Sequence, residues 1–240
     1  MHDSIVEWIR ADEAQALYDR DDSAHDFDHV RRVTHLAHAI ARAEGANVAV
    51  VTAAALLHDA PAQEHEGDAA GARMDHHRAA AAFAQEYLTA RGVPPADVAN
   101  VVHCIEAHRF RDTSITPKTL EARCLYDADK LDSMGAIGVA RAFAFAGAHA
   151  NRLWYMPVAA IEAEEKSPHG ADYTPVHEYV YKLDRLLATL QTATGRRLGK
   201  ARHKRQAAFF AALDDEMAET TAETMVGDVE ALPMFTQEDL

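Results

Sequence analysis

Cysteine is nearly absent from this chain. Only Cys104 and Cys124 occur in 240 residues, each inside an apolar helical pattern and neither in a CxxC, which excludes a disulfide framework and fits a reducing compartment. Glycine (11) and proline (8) are sparse and aromatic residues make up 7% of the chain, a composition that favours helix over sheet. No apolar run reaches the roughly 20 residues a membrane span requires. The N-terminus, "MHDSIVEWIRADEAQ", is charged and amphipathic and lacks a signal-peptide hydrophobic region. Basic residues are few: 24 Lys and Arg stand against 38 Asp and Glu, a net charge of -14. Such a chain opposes anionic polymers unless a local basic patch overrides the average. Nucleic acid and membrane are therefore set aside as partners, and a cytoplasmic location is expected.

What the chain does contain is alanine, leucine, glutamate and arginine in helical periodicity, with no internal repeat and no Gly/Ser linker. An all-α, compact single-domain helical bundle is predicted over residues 1–221, followed by an acidic tail, 222–240, that ends "PMFTQEDL". Helices are expected at about 3–19, from Asp26 or Asp28 to Gly45, at 48–58, 76–91, 95–109 and 119–130. Residues 61–75, "PAQEHEGDAAGARMD", read as a surface loop behind a helix-breaking proline. The stretch that begins "ADYTPVHEY" reads as two amphipathic helices broken near Gly195, the first burying Leu183, Leu186, Leu187 and Leu190.

Chemistry enters at "LLHDAP". Val51, Ala54 and Ala55 share a helix face with His58, so its imidazole points inward, beside the carboxylate of Asp59. A buried carboxylate is costly unless it is paired or bound to a cation. The same reasoning selects His29, on the face of Val33 and Leu36, and Asp129, on the face of Leu125 and Ala122. Two imidazoles and two carboxylates from three helices form a borderline N/O set that suits Mn²⁺, Fe²⁺, Co²⁺, Ni²⁺ or Zn²⁺ better than Ca²⁺.

The ordered set of His29 in "HDFDHVRRV", His58 and Asp59 in "LLHDAP", and Asp129 in "DADKLDSMGAIGVAR" resembles the HD-domain superfamily of metal-dependent phosphohydrolases. With "KLDRLLATLQTATGRRLGKARHKR" the likeness spans residues 25 to about 217 and is strongest to the small bacterial nucleotide pyrophosphohydrolases. It implies that His29, His58, Asp59 and Asp129 bind one divalent metal, Mn²⁺ foremost, with Fe²⁺, Co²⁺, Ni²⁺, Zn²⁺ and Mg²⁺ open. It also implies hydrolysis of a phosphoanhydride or phosphoester bond, with Asp59 at the reacting centre. The expected reaction converts a nucleoside triphosphate to monophosphate and pyrophosphate. A 5′-nucleotidase and a non-catalytic nucleotide-binding module remain the alternatives, and homodimer formation stays open.

Further candidates surround this set. His108 shares the face of Val101 and Cys104 and is expected near the site, whereas His103 lies ~140° away around the helix. Asp132 is placed to receive a proton or to fix a ligand by hydrogen bonding. Lys182 and Arg202 match basic positions of the family pattern, and Lys130 and Arg109 flank the proposed centre; these four are the candidates for phosphate. The histidines of "MDHHRAAAAF" read as exposed at a helix start, and "GRRLGKARHKR" reads as a solvated helix face. One departure stands out: where some HD phosphohydrolases carry an acidic residue a turn after the HD pair, this chain has "HDAPAQEHE", which leaves only Glu64 to consider.

Overall fold

The computed structural model describes residues 8–18, 27–60, 69–110, 114–162 and 172–221, without the side chains of 69–76 and 221. The elements in order are α1 (Ala11–Gln15), α2 (Phe27–Glu44), α3 (Val48–Leu57), α4 (Ala69–Ala90), α5 (Pro95–Glu106), α6 (Leu120–Asp132), α7 (Gly135–Ala148), α8 (Pro175–Tyr181), α9 (Leu186–Thr189) and α10 (Ala193–Thr221). No strand occurs among the described residues, as an all-α bundle requires. No described helix is long and apolar enough to cross a membrane.

The helices that matter for the site are α2, α3, α5 and α6, which pack on one another. α2 buries Val30, Val33, Ala37, Ile40 and Ala41 on one stripe, and Gly45 ends it in the left-handed region at φ +77°, a conformation that glycine adopts without a Cβ penalty. α3 is apolar nearly all round and buries seven of its ten residues, the pattern of a helix enclosed by others. Asn47 caps it by accepting from the N–H groups of Ala49 and Val50. The Glu121 carboxylate then joins three helices: it accepts the Asn47 backbone N–H at 2.8 Å and the Asn100 amide at 3.1 Å. The starts of α3 and α6 are thereby tied to α5.

Several expectations are corrected. α1 is short, Ala11–Gln15. Of the two cap candidates for α2, Asp28 sits within its first turn and Asp26 lies outside the described residues. α4 begins at Ala69, so 69–75 is helix and not loop; alanine-rich "AAGARM" has the propensity to extend a helix backwards from its packed part. His77 is consequently well inside α4 and fully buried, not exposed. α5 stops at Glu106, short of His108. The C-terminal break falls at Leu190–Thr192, while Gly195 lies in the first turn of α10. Asp127 of α6 is the reason. Its carboxylate accepts from the Gln191 N–H, the Thr192 N–H and the Thr192 hydroxyl, each at 2.6–2.7 Å, and the Thr192 Oγ1 in turn accepts the Gly195 N–H at 2.9 Å as the helix cap. The tail 222–240 and Glu64 lie outside the described residues.

Both cysteines are buried and free. Burial pushes both thiols up, Cys104 with the help of Glu121 and Cys124, beside Asp127, to about 12. Because only the thiolate reacts, a thiol reagent at mildly alkaline pH is expected to label neither cysteine in the folded protein and both after denaturation. Labelling of the native protein at the rate of a free thiol would contradict this packing.

Candidate metal centre

Three imidazoles and two carboxylates meet where α2, α3 and α6 converge beside the end of α5. His29 enters from the first turn of α2, His58 is the residue that closes α3, and Asp59 follows it. His29, His58 and Asp59 each present one ligand atom, all within 4.8 Å of one another. Asp129 approaches from α6, its Oδ1 3.6 Å from His29 Nε2. His108, two residues past α5, brings Nε2 to 3.8 Å from Asp59 Oδ1. The His58 ring lies edge-on to both other imidazoles, with centroids 5.4 Å from His29 and 5.2 Å from His108.

The orientation of each imidazole follows from the group behind it. His58 Nδ1 is 2.8 Å from the Ala55 carbonyl and His108 Nδ1 is 2.6 Å from the Ile105 carbonyl. A carbonyl can only accept, so both Nδ1 atoms carry hydrogen. His29 Nδ1 is 2.7 Å from Asp132 Oδ2, and Asp132 is held at about 2 against its own burial by His29 and Arg32; as a carboxylate it too only accepts. All three rings therefore turn Nε2 toward Asp59 and Asp129, and in the neutral ring that atom is a lone pair. A carboxylate or carbonyl behind a metal-binding histidine has this same effect.

These residues fit a divalent cation. His58 Nε2 is fully buried, and although Asp59 Oδ2 stands 3.2 Å away the geometry does not make a hydrogen bond; a cation between the two would satisfy both. Without a cation the electrostatics are lopsided: burial opposes charge on His58, yet Asp59 and Asp129 hold its pKa up at about 9. Burial, joined by the neighbouring His58, pushes His108 down to about 3. Asp129 is driven well below the usual carboxylate range in spite of burial, by Lys130 first and then by His108, His29 and His58.

The other candidates divide into those brought to the centre and those engaged elsewhere. Lys130 is buried and turns its Nζ back to Asp129 Oδ2 at 2.6 Å, occupying the oxygen that does not face His29. Asp132 is fully buried and receives Arg32 through Nε and Nη2 at 2.8 and 3.1 Å and Arg141 through Nη1 at 3.0 Å. Of its two expected uses, fixing a ligand suits these contacts. With its pKa at about 2 and two guanidinium groups against it, it is a poor proton acceptor. Arg202 donates to the Leu131 carbonyl and Lys182 pairs with Glu178 at 2.9 Å, so neither polar group is spent on the metal set. Arg109 is partly buried next to His108. His103 accepts the Lys118 N–H at 3.0 Å.

Arg32 and Arg141 escaped the sequence reading. Arg32 sits three residues after His29, and that proximity is the one local signal for it; Arg141 has none. Replacing Asp132 with alanine is expected to weaken Mn²⁺ binding about 10- to 100-fold, the usual cost of losing the group behind a metal-binding histidine. Isothermal titration with Mn²⁺ checks it, and unchanged affinity would show that His29 needs no support from Asp132.

A family model for the HD domain matches residues 26–134. YpgQ of Bacillus subtilis (strain 168) is 31% identical over 225 residues, covering 92% of this chain and 96% of that protein. The chain belongs to the HD-domain superfamily. The fold agrees: the structure of Bacillus subtilis YpgQ in complex with ADP superimposes with a TM-score of 0.64 at 27% identity, over 87% of this chain and 98% of that one. A Lactobacillus plantarum protein gives 0.68 at 26% identity, over 87% and 95% of the two chains. An HD superfamily hydrolase from an uncultured Thermotogales bacterium gives 0.56 at 28%, over 86% and 88%. The HD match holds His29, His58, Asp59, His108, Asp129 and Asp132, whereas Arg141 lies seven residues past its end. The chain outside the matched HD segment thus still contributes to the centre.

Proposed function

We propose that this protein is a single-metal phosphohydrolase that cleaves nucleoside triphosphates to the monophosphate and pyrophosphate. The observation that carries the reading is the shared orientation of His29, His58 and His108, each with Nδ1 held from behind and Nε2 aimed at Asp59 and Asp129. His29, His58, Asp59 and Asp129 would hold the metal, Mn²⁺ first among the N/O-binding ions. A divalent metal there supplies a bound water of lowered pKa and neutralises charge on phosphoryl oxygens. His108, kept neutral by burial, offers Nε2 as a hydrogen-bond acceptor beside Asp59. Arg109, next to His108 in the chain, is assigned to phosphate, whereas Lys130 is held on Asp129 and would serve that carboxylate first. The nucleotide class is supported by YpgQ, a relative whose structure holds ADP.

Incubation of the Mn²⁺-loaded protein with a panel of nucleoside tri-, di- and monophosphates tests this reading. Monophosphate and pyrophosphate should accumulate from triphosphates. Orthophosphate released from monophosphates alone would replace the reading with a 5′-nucleotidase, and no product from any nucleotide with metal bound would leave a binding module.

A further inference from the structure

Three different donors hold the end of α3. The last carbonyls of an α-helix have no partner within the helix itself. Here the His58 ring donates to the Ala55 carbonyl at 2.8 Å and the Ala60 N–H to that of Leu57 at 3.1 Å. Between them, the Tyr18 hydroxyl donates to the Leu56 carbonyl at 2.9 Å. Tyr18 follows α1 and precedes the HD segment, which is matched from residue 26. Its phenol oxygen also accepts the backbone N–H of Asp59. In a continued helix that N–H would be directed at the Ala55 carbonyl. One buried hydroxyl thus grips the turn of Asp59 on both sides. The Tyr18 ring meets Phe27 at the head of α2, with centroids 5.7 Å apart, two residues ahead of His29. Burial first, and then the negative charge of Asp59, push the phenol well above its ordinary value, so it retains its hydrogen and goes on donating to Leu56.

We propose that Tyr18 is a positioning residue of the metal centre, its hydroxyl fixing the backbone turn from which the Asp59 carboxylate reaches the cation. The inference rests on the single-metal reading above. Consecutive residues of a helix point about 100° apart, yet His58 Nε2 and Asp59 Oδ2 stand 3.2 Å from one another. The turn after Leu57 must therefore be held closely if both are to face one cation. Asp132 steadies His29, and the Ala55 and Ile105 carbonyls steady His58 and His108. Tyr18 does for Asp59, through its backbone, what those groups do for the imidazoles. For packing alone, in a core that already buries Ile9 and Ala14 of the same segment, phenylalanine would serve as well. A buried hydroxyl that donates and accepts on either side of a ligand residue points to the turn itself.

Tyr18→Phe removes the hydroxyl and keeps the ring. Isothermal titration of the full chain with Mn²⁺ should give an affinity about tenfold below wild type, the lower end of the loss that follows removal of a group behind a metal ligand. The melting temperature of the chelated protein should fall by only roughly 2–4 °C, as one hydrogen bond implies in a chain of this length. Asp214→Asn is the comparison. It weakens two bonds that pin the Trp154 indole and the Val158 N–H to α10, and should lower the chelated melting temperature without moving Mn²⁺ affinity. Y18M, whose flexible side chain fills the space without a hydroxyl, repeats the titration if circular dichroism shows that Y18F has lost helix. A hydroxyl-free variant that binds Mn²⁺ as tightly as wild type overturns the proposal alone, and so does an equal loss of affinity in D214N, which would trace the effect to stability. A wild type that binds no Mn²⁺ overturns it together with the metal centre.

Discussion

On the proposed function, Asp59→Ala is expected to lose divalent-metal binding and, with it, about a thousandfold or more of the proposed phosphohydrolase activity, since a catalytic metal supplies several kcal/mol of transition-state stabilisation. Asp59 is the carboxylate that all three imidazoles approach, at 3.8 Å from His29, 3.2 Å from His58 and 3.8 Å from His108. No neighbouring group can replace it, because Asp129 is shared with Lys130. The metal-free fold should change little. Asp59 raises the pKa of His58 against burial, so without it the buried ring discards its proton and the site becomes neutral instead of holding an unpaired charge. The expected pattern is a melting temperature close to that of the chelated wild type, no further stabilisation by Mn²⁺, and no turnover. A variant that still binds Mn²⁺ with wild-type affinity would remove Asp59 from the ligand set.

Gly195→Ala should destabilise the protein by about 3 kcal/mol, although alanine favours helix over glycine by about 1 kcal/mol. An added Cβ would stand 2.0 Å from Asp127 Oδ2, 2.7 Å from its Cγ and 2.9 Å from Thr192 Oγ1. The carboxylate would have to move, and the two backbone N–H groups and the hydroxyl it accepts from would lose their buried partner. In a chain of this size that corresponds to roughly 6–12 °C in melting temperature. The two shortest contacts disappear once Asp127 is alanine, leaving only Thr192 Oγ1 at 2.9 Å, so Gly195→Ala should cost clearly less in that background, a departure from additivity. Stabilisation of the wild type by Gly195→Ala would mean that Asp127 does not clamp the start of α10.

These two positions differ in how visible they are from sequence alone. His58 and Asp59 are adjacent, and their neighbours at helical spacing are alanine, valine and leucine; that local contrast exposes them. His29 yields to the same periodicity argument because α2 buries one clear stripe, and Asp129 yields to it through Leu125 and Ala122 on its face, although α6 is buried on nearly every side. The three aspartates of "YDADKLD" look alike in sequence, yet they serve three purposes. Asp127 clamps the turn before α10, Asp129 faces the imidazoles, and Asp132 holds His29 between two arginines. The break assigned to Gly195 misses for a related reason: glycine there answers a close approach by α6 and not a turn of its own.

Composition and periodicity were enough to determine an all-helical chain, most of its helices, and the residue types gathered for a cation, because burial periodicity and the cost of an inward-facing charge act between near neighbours. Tertiary packing decided how the His29 ring is held, whereas His58 and His108 are turned by carbonyls only three residues behind them. Asp132 reaches His29 across 103 residues and Arg32 across 100, and no spacing rule connects groups joined only by how α2, α6 and α7 come to rest against one another.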